Sequence, residues 1–149
     1  MNAFAPDAGG HFYFSSGSND AILVVRPERG QSVIRGPKTD LNDPIGLAAN
    51  RDGSLFVANA GGKNVLVFAR GSSGNSAPVA RIEGPATQLA APQAVAIDAA
   101  GRVYVFDGPR TTSAVDVKHY VRVYAASARG DVPPLRSYEV NTKCWANAI

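Results

Sequence analysis

The sequence is short of most of the groups on which enzyme chemistry is built. Its 149 residues include one cysteine, Cys144, which excludes an internal disulfide framework and a cysteine-rich zinc site. Histidine occurs twice, at His11 and His119, and glutamate three times, at Glu28, Glu83 and Glu139. No Ser/His/Asp or Cys/His spacing pairs a nucleophile with a base, and Cys144 beside Trp145 reads as a packing residue. Gly71-Ser72-Ser73-Gly74 lacks the Lys-Ser/Thr that gives a phosphate loop its chemistry. No hydrophobic run approaches the roughly 18 residues of a membrane span. Charge is sparse and mixed: 15 basic against 12 acidic residues give +3, and Arg26, Arg35, Arg70, Arg81, Arg122 and Arg136 are scattered along the chain. A nucleic-acid-binding domain concentrates its basic residues on one face, so neither nucleic acid nor membrane is an expected partner, and no cofactor is expected. Met1 to Asp7 has neither the basic nor the apolar stretch of a signal peptide, which leaves the cytoplasm as the expected location.

Turn formers are plentiful. Fifteen glycines and ten prolines are enough for many turns, yet too few and too irregularly spaced for collagen or a low-complexity chain, and a 45% hydrophobic share supports a core. The turns fall in a repeat. Ile34-Arg35-Gly36-Pro37-Lys38-Thr39-Asp40-Leu41-Asn42-Asp43-Pro44 returns 48 residues later as Ile82-Glu83-Gly84-Pro85-Ala86-Thr87-Gln88-Leu89-Ala90-Ala91-Pro92, the shared pattern being I-x-G-P-x-T-x-L-x-x-P. The likeness continues through Leu47-Ala48-Ala49-Asn50, Gly53 and Leu55-Phe56-Val57 against Val95-Ala96-Ile97-Asp98, Gly101 and Val103-Tyr104-Val105. A third copy opens the chain with Phe4-Ala5-Pro6-Asp7, Gly10 and Phe12-Tyr13-Phe14. The second halves align through Ile22-Leu23-Val24-Val25, Val65-Leu66-Val67-Phe68 and Val121-Arg122-Val123-Tyr124. The third unit carries extra residues between Gly108 and Lys118, and the first is shorter between Arg26 and Val33. The chain is expected to hold three whole units, starting and stopping near unit boundaries.

Each unit contains four short apolar or alternating runs bounded by Gly, Asn, Asp, Ser or Pro, which is a strand signature. In the middle unit they fall at about 45–49, 54–59, 64–69 and 78–82, with Gly61-Gly62 marking a hairpin. No window sustains a helical period. Four strands in a unit of 40–50 residues define a propeller blade. The expected fold is all-β: three four-stranded propeller blades at about 1–43, 44–91 and 92–148 in one domain. Ala5, Ala48 and Ala96 are expected close to the axis, and Phe12, Phe14, Leu55, Val57, Val103 and Val105 between blades.

The pattern Pro-x-x-φ-Ala-x-[Asn/Asp]-x-x-Gly-x-[Leu/Val]-[Phe/Tyr]-Val at 44–57 and 92–105 resembles the NHL-type propeller repeat, and Asn64 to Pro92 resembles long-period NHL-like repeats of bacterial proteins, often exported ones. The resemblance implies a propeller, commonly six-bladed, with a surface for ligands or partners, but no single chemistry. Three blades fall short of the 4–8 of a closed ring. Each open end would expose on the order of 500 Å² of apolar surface, worth roughly 10 kcal/mol at ~25 cal/mol per Å². A homodimer would complete six blades; a fragment of a longer chain or an open wedge is the other reading.

Asp7, Asn50 and Asp98 share one repeat position and could be metal ligands or turn formers. Asn59 and Asp107, with Ser16 as their counterpart, close the second strands and are either turn or binding residues. The insertion in unit three contributes Arg110 and Asp116 as further binding candidates, because long loops on a rigid scaffold often carry recognition. The functional expectation is a non-catalytic binding or scaffolding propeller whose loops and central channel meet a protein or small-molecule ligand, with Asn59, Asp107, Arg110 and Asp116 as its residues and no catalytic or metal-ligating set. The alternative is a metal-dependent hydrolase resembling the gluconolactonase-type propellers, which hold a divalent metal with Glu, Asn and Asp. RNA binding, known in some NHL propellers, would need a basic face.

Overall fold

The computed structural model describes residues 1–110 and 117–141, and these form three antiparallel four-stranded sheets in chain order. The first holds β1 (Phe4–Pro6), β2 (Phe12–Ser16), β3 (Ala21–Arg26) and β4 (Gly30–Ile34). The second holds β5 (Pro44–Ala49), β6 (Leu55–Asn59), β7 (Asn64–Phe68) and β8 (Ala80–Ile82). The third holds β9 (Pro92–Ile97), β10 (Val103–Asp107), β11 (His119–Tyr124) and β12 (Arg136–Val140). Each sheet is a simple meander, and the expected four-strand units are those observed.

Strand alternation sends each residue set to one side of its blade. On the middle blade, Leu47, Leu55, Val57, Leu66 and Phe68 face the first blade and share a core with its Ala5, Tyr13, Ile22, Val24 and Ile34. Its other side, with Phe56, Ala58, Val65, Val67 and Ile82, packs on Val95, Val103, Val105 and Tyr124 of the third blade. The blades are therefore joined by two equivalent apolar cores. Ala5 and Ala48 belong to these inter-blade cores, whereas Ala96 is exposed on the far side of the third blade. Small residues still reflect close approach of the innermost strands: a Cβ at Gly46 would lie 2.6 Å from the Ala94 Cα. Phe12 and Phe14 depart from expectation. They lie on the outer side of the first blade, where the described residues supply no neighbouring blade, and pack with Phe4 instead, at centroid distances of 5.7 and 5.2 Å.

The I-x-G-P-x-T-x-L segment is the connection from one blade to the next. Pro37–Thr39 and Pro85–Thr87 each form one 3-10 turn, and proline fits the start of such a turn because its missing N–H has no partner there. The buried Thr39 and Thr87 hydroxyls donate to the Gly36 and Gly84 carbonyls at 2.6 Å and accept the Leu41 and Leu89 N–H groups at 3.3 Å. Gly36 and Gly84 hold φ of 129° and 125°, a region almost closed to other residues.

A strap reaches back over each connection from the following blade. After β7 the chain passes Gly74, whose N–H donates to the Val33 carbonyl at 2.7 Å and whose carbonyl accepts the Arg35 N–H at 3.0 Å. Asn75 then accepts the Lys38 N–H at 2.8 Å. After β11, Gly130 bonds Arg81 and Glu83 in the same way, and Asp131 accepts the Ala86 N–H at 2.7 Å. Each strap stitches the outer strand of one blade to the next.

Candidate functional site

The site grows from the ends of the second strands. Asn59 closes β6, Asn64 opens β7, and both are buried. The Asn59 side-chain oxygen accepts the Asn42 N–H at 2.8 Å, while its amide donates to the Asp40 carbonyl at 3.1 Å and to the Asn64 oxygen at 2.8 Å. Asn64 in turn donates to Glu83 at 2.9 Å. One buried amide thus ties the hairpin to the inter-blade connection. Asp107 repeats the arrangement one blade later, with a carboxylate oxygen accepting the Ala90 and Ala91 N–H groups, both at 2.9 Å. Its second oxygen takes the Arg122 Nε at 3.0 Å. Arg122 is buried at a position where the other blades have Leu23 and Leu66. It also donates to Gln88 and Ser137 and lies 4.5 Å above the Tyr120 ring.

The structure therefore brings Asn59 and Asp107 to equivalent, buried and fully bonded places. Arg110 stands apart on the surface, paired with Asp43 at the entrance to the middle blade. Asp116 lies outside the described residues. His119 stacks on Phe106 at 5.3 Å and bonds the Pro109 carbonyl, while its buried Nδ1 has no partner among the described residues.

Around Asn64 opens a polar groove of about 470 Å³, lined by Asp40, Asn42, Asn64, Arg81 and Glu83. Arg81 pairs with Asp40. A second hollow of about 440 Å³ shares Arg81 and Glu83 and runs toward Arg129 and Gly130. Sequence reasoning did not single out Asp40, Asn64 or Arg81. Asp40 and Arg81 fall on variable positions in or beside the repeated pattern, where no residue type stands out until the fold places two blades side by side.

The opposite ends of the second strands carry the Asp7, Asn50 and Asp98 set, and all three form the turn. Their side-chain oxygens accept the N–H groups of Gly9 and His11, of Asp52 and Ser54, and of Ala100 and Arg102. Asp7 also takes the Tyr13 hydroxyl and Asp98 the Tyr104 hydroxyl. Burial works to raise the Asp7 carboxyl, but hydrogen bonds from His11, Tyr13 and Gly9 outweigh it and hold the group below its ordinary value. Asp98 is lowered as well: the cost of desolvation is outweighed there by hydrogen bonds from Arg102 and Tyr104. Burial and the Asp7 carboxylate push the Tyr13 phenol up to about 12. Among the described residues, no three His, Cys, Asp or Glu side chains come together as a metal site.

No protein-family model matches the chain, and no curated protein matches it. Solved structures do. A luciferin-regenerating enzyme aligns over 89% of this chain with a TM-score of 0.63 and 14% identity. A catalytically inactive virginiamycin B lyase from Staphylococcus aureus with quinupristin aligns over 83% with a TM-score of 0.56 and 16% identity, and a streptogramin B lyase over 85% with 0.56 and 14%. At such identity the likeness is one of fold, and it places the three sheets as blades of a partial β-propeller. The chain spans only 47%, 40% and 41% of these structures, respectively.

Proposed function

We propose that this protein is a non-catalytic binding or scaffolding module built on NHL-like propeller blades, with the polar groove between the first two blades as its recognition surface. One observation carries the reading: the buried polar groups nearest the groove, Asn59 and Asn64, are consumed in holding hairpin to connection, which leaves a fixed wall of carboxylates, amides and one guanidinium. Such a wall offers donors and acceptors for a neutral polar ligand but pairs no nucleophile with a base. Amide NMR titration with a library of neutral polar fragments tests it. Shifts should cluster at Asp40 to Asn42, Asn64 and Arg81 to Glu83; shifts elsewhere, or none, overturn the assignment.

A second reading is supported by the structural neighbours, whose names describe enzymes. Under it the chain contributes to a lactonase-like, metal-dependent hydrolase. Lactone turnover that appears with added Ca²⁺, Mn²⁺ or Zn²⁺ and disappears with chelator would favour that reading over the first.

A further inference from the structure

The middle blade shows what a complete junction requires. One blade offers the positions of Ala48, Phe56, Val65, Val67 and Ile82, and the next covers them with the positions of Val95, Val103, Val105 and Tyr124. Among the described residues, both kinds of face are left open at the ends of the array. The outer side of the first blade presents Phe4, Phe12, Phe14, Leu23 and Val25, which correspond by repeat to Leu47, Leu55, Val57, Leu66 and Phe68. The outer side of the third presents Ala96, Tyr104, Val121 and Tyr138, which correspond to Ala48, Phe56, Val65 and Ile82, while Val123 at the Val67 position is already buried. Phe4 is 53% exposed where its counterpart Leu47 is 8%, and Tyr138 is 51% exposed where Ile82 is 0%. One end is thus the covering half of a junction and the other end the covered half.

The straps identify the occupant. In the first blade the link from β3 to β4 is the short Pro27-Glu28-Arg29, with no counterpart of the Gly74-Asn75 or Gly130-Asp131 strap. In the third blade Val140 and Asn141 stand where Gly84 and Pro85 would form the strap-receiving turn. A strap could not settle there as it does on Gly84, where a Cβ would collide with the Asp131 side chain. The face that lacks a strap and the face that cannot receive one belong to the same chain. A blade bearing the usual Gly-Pro turn, set before the first blade, would keep that turn unstrapped; the third blade of a second copy has no such turn to satisfy.

We infer that a second copy of this chain docks head to tail, with the first blade of each copy covering the third blade of the other, closing a six-blade ring by a two-fold axis. Both seams are heterologous and closed, so assembly stops at two. Four of the six junctions are then strapped and two are not, and the ring opens at its seams.

Sedimentation or light scattering across a wide range of protein concentration tests this together with Phe4→Glu and Tyr138→Glu. Both positions are half-exposed in the single chain, so each variant should keep its β-sheet circular dichroism; Phe4→Ser and Tyr138→Ser replace any glutamate variant that does not fold. The unmodified protein should weigh twice the 15.5 kDa of one chain, and each variant should be monomeric. An equimolar mixture of the two variants should regain the dimer mass, because one intact head still meets one intact tail. A folded monomer of the unmodified chain overturns the inference and leaves the faces to some other occupant. So does mass that climbs past two copies, a dimer that survives Tyr138→Glu and so joins head to head, or a mixture that stays monomeric.

Discussion

The middle blade and the end blades are built from one repeated pattern, yet they differ in what their strands touch. Every residue of β6 and β7 is buried, whereas β2 and β10 alternate between buried and half-exposed. The pattern is the same; the number of neighbours is not. The polar chemistry follows the same division. At the repeat positions where the end blades pair Asp7 with Tyr13, Asp98 with Tyr104, and Asp107 with Arg122, the middle blade has the neutral combinations Asn50 and Phe56, and Asn59 and Leu66. Substitutions within the repeat are paired: the carboxylates of Asp7, Asp98 and Asp107 each take a tyrosine hydroxyl or a guanidinium besides backbone N–H groups, whereas Asn50 accepts backbone N–H groups alone.

The comparison breaks most visibly with the same substitution made on both sides of it. Phe68→Ala empties a fully buried site between two blades and should cost about 3–5 kcal/mol. Phe14→Ala, on the open face of the first blade, should cost the single chain well under half of that, because its ring is already partly hydrated. Urea unfolding of both variants at low protein concentration measures the difference. Equal losses would show that the open face is as enclosed as the interior.

The next effect tests the paired chemistry. Arg122→Leu alone leaves the buried Asp107 without its counter-ion and should cost about 3 kcal/mol. Adding Asp107→Asn rebuilds the Asn59 and Leu66 combination of the middle blade and should recover most of the loss. A double-mutant cycle reads the coupling. If the double variant is as unstable as the single one, the repeat units are not chemically interchangeable at this position.

The straps give a smaller change. Asp131→Ala removes the acceptor for the Ala86 N–H and should cost about 0.5–2 kcal/mol, by analogy with the loss of a helix cap. Hydrogen exchange should show the release confined to the junction of the middle and third blades, with Lys38 and its Asn75 strap unchanged.

Much of this architecture was legible because the repeat sets a register. Once Ile34 matches Ile82, every later strand position has a counterpart, and alternation assigns it a side. The Gly-Pro-x-Thr-x-Leu segment could be read as repeated within the chain but not understood, since what it meets lies far along the sequence in the strap, where Gly130 bonds Arg81 and Glu83 and the Asp131 side chain lies against Gly84. The groove was illegible for the same reason: Asp40, Asn64 and Arg81 meet only when two blades stand side by side. Phe12 and Phe14 lack a neighbouring blade within the described residues, because a repeat pattern states which face a residue belongs to, not whether that face has a neighbour in the same chain.

The smallest effect separates the turns at the far ends of the second strands. Asp7 and Asp98 are held below the ordinary carboxylate value of 3.8 by the bonds they accept, whereas Asn50 at the same repeat position cannot titrate. In the fold these two carboxylates stay ionised at a pH where the unfolded chain has begun to bind protons. Their contribution is therefore complete above the unfolded value near 3.8 and fades as pH falls through the lower folded values. Asp7→Asn and Asp98→Asn keep the turn acceptor, as Asn50 does, and remove the proton uptake. The acid limb of the stability profile should flatten in each, while the profile above neutral pH stays parallel to that of the unmodified chain. Because the Asp7 side chain is 1% exposed and that of Asp98 26%, the flattening should be larger for Asp7→Asn. Equal flattening would mean that the Arg102 bond to Asp98 does as much in water as the bonds from His11, Tyr13 and Gly9 do for the buried Asp7.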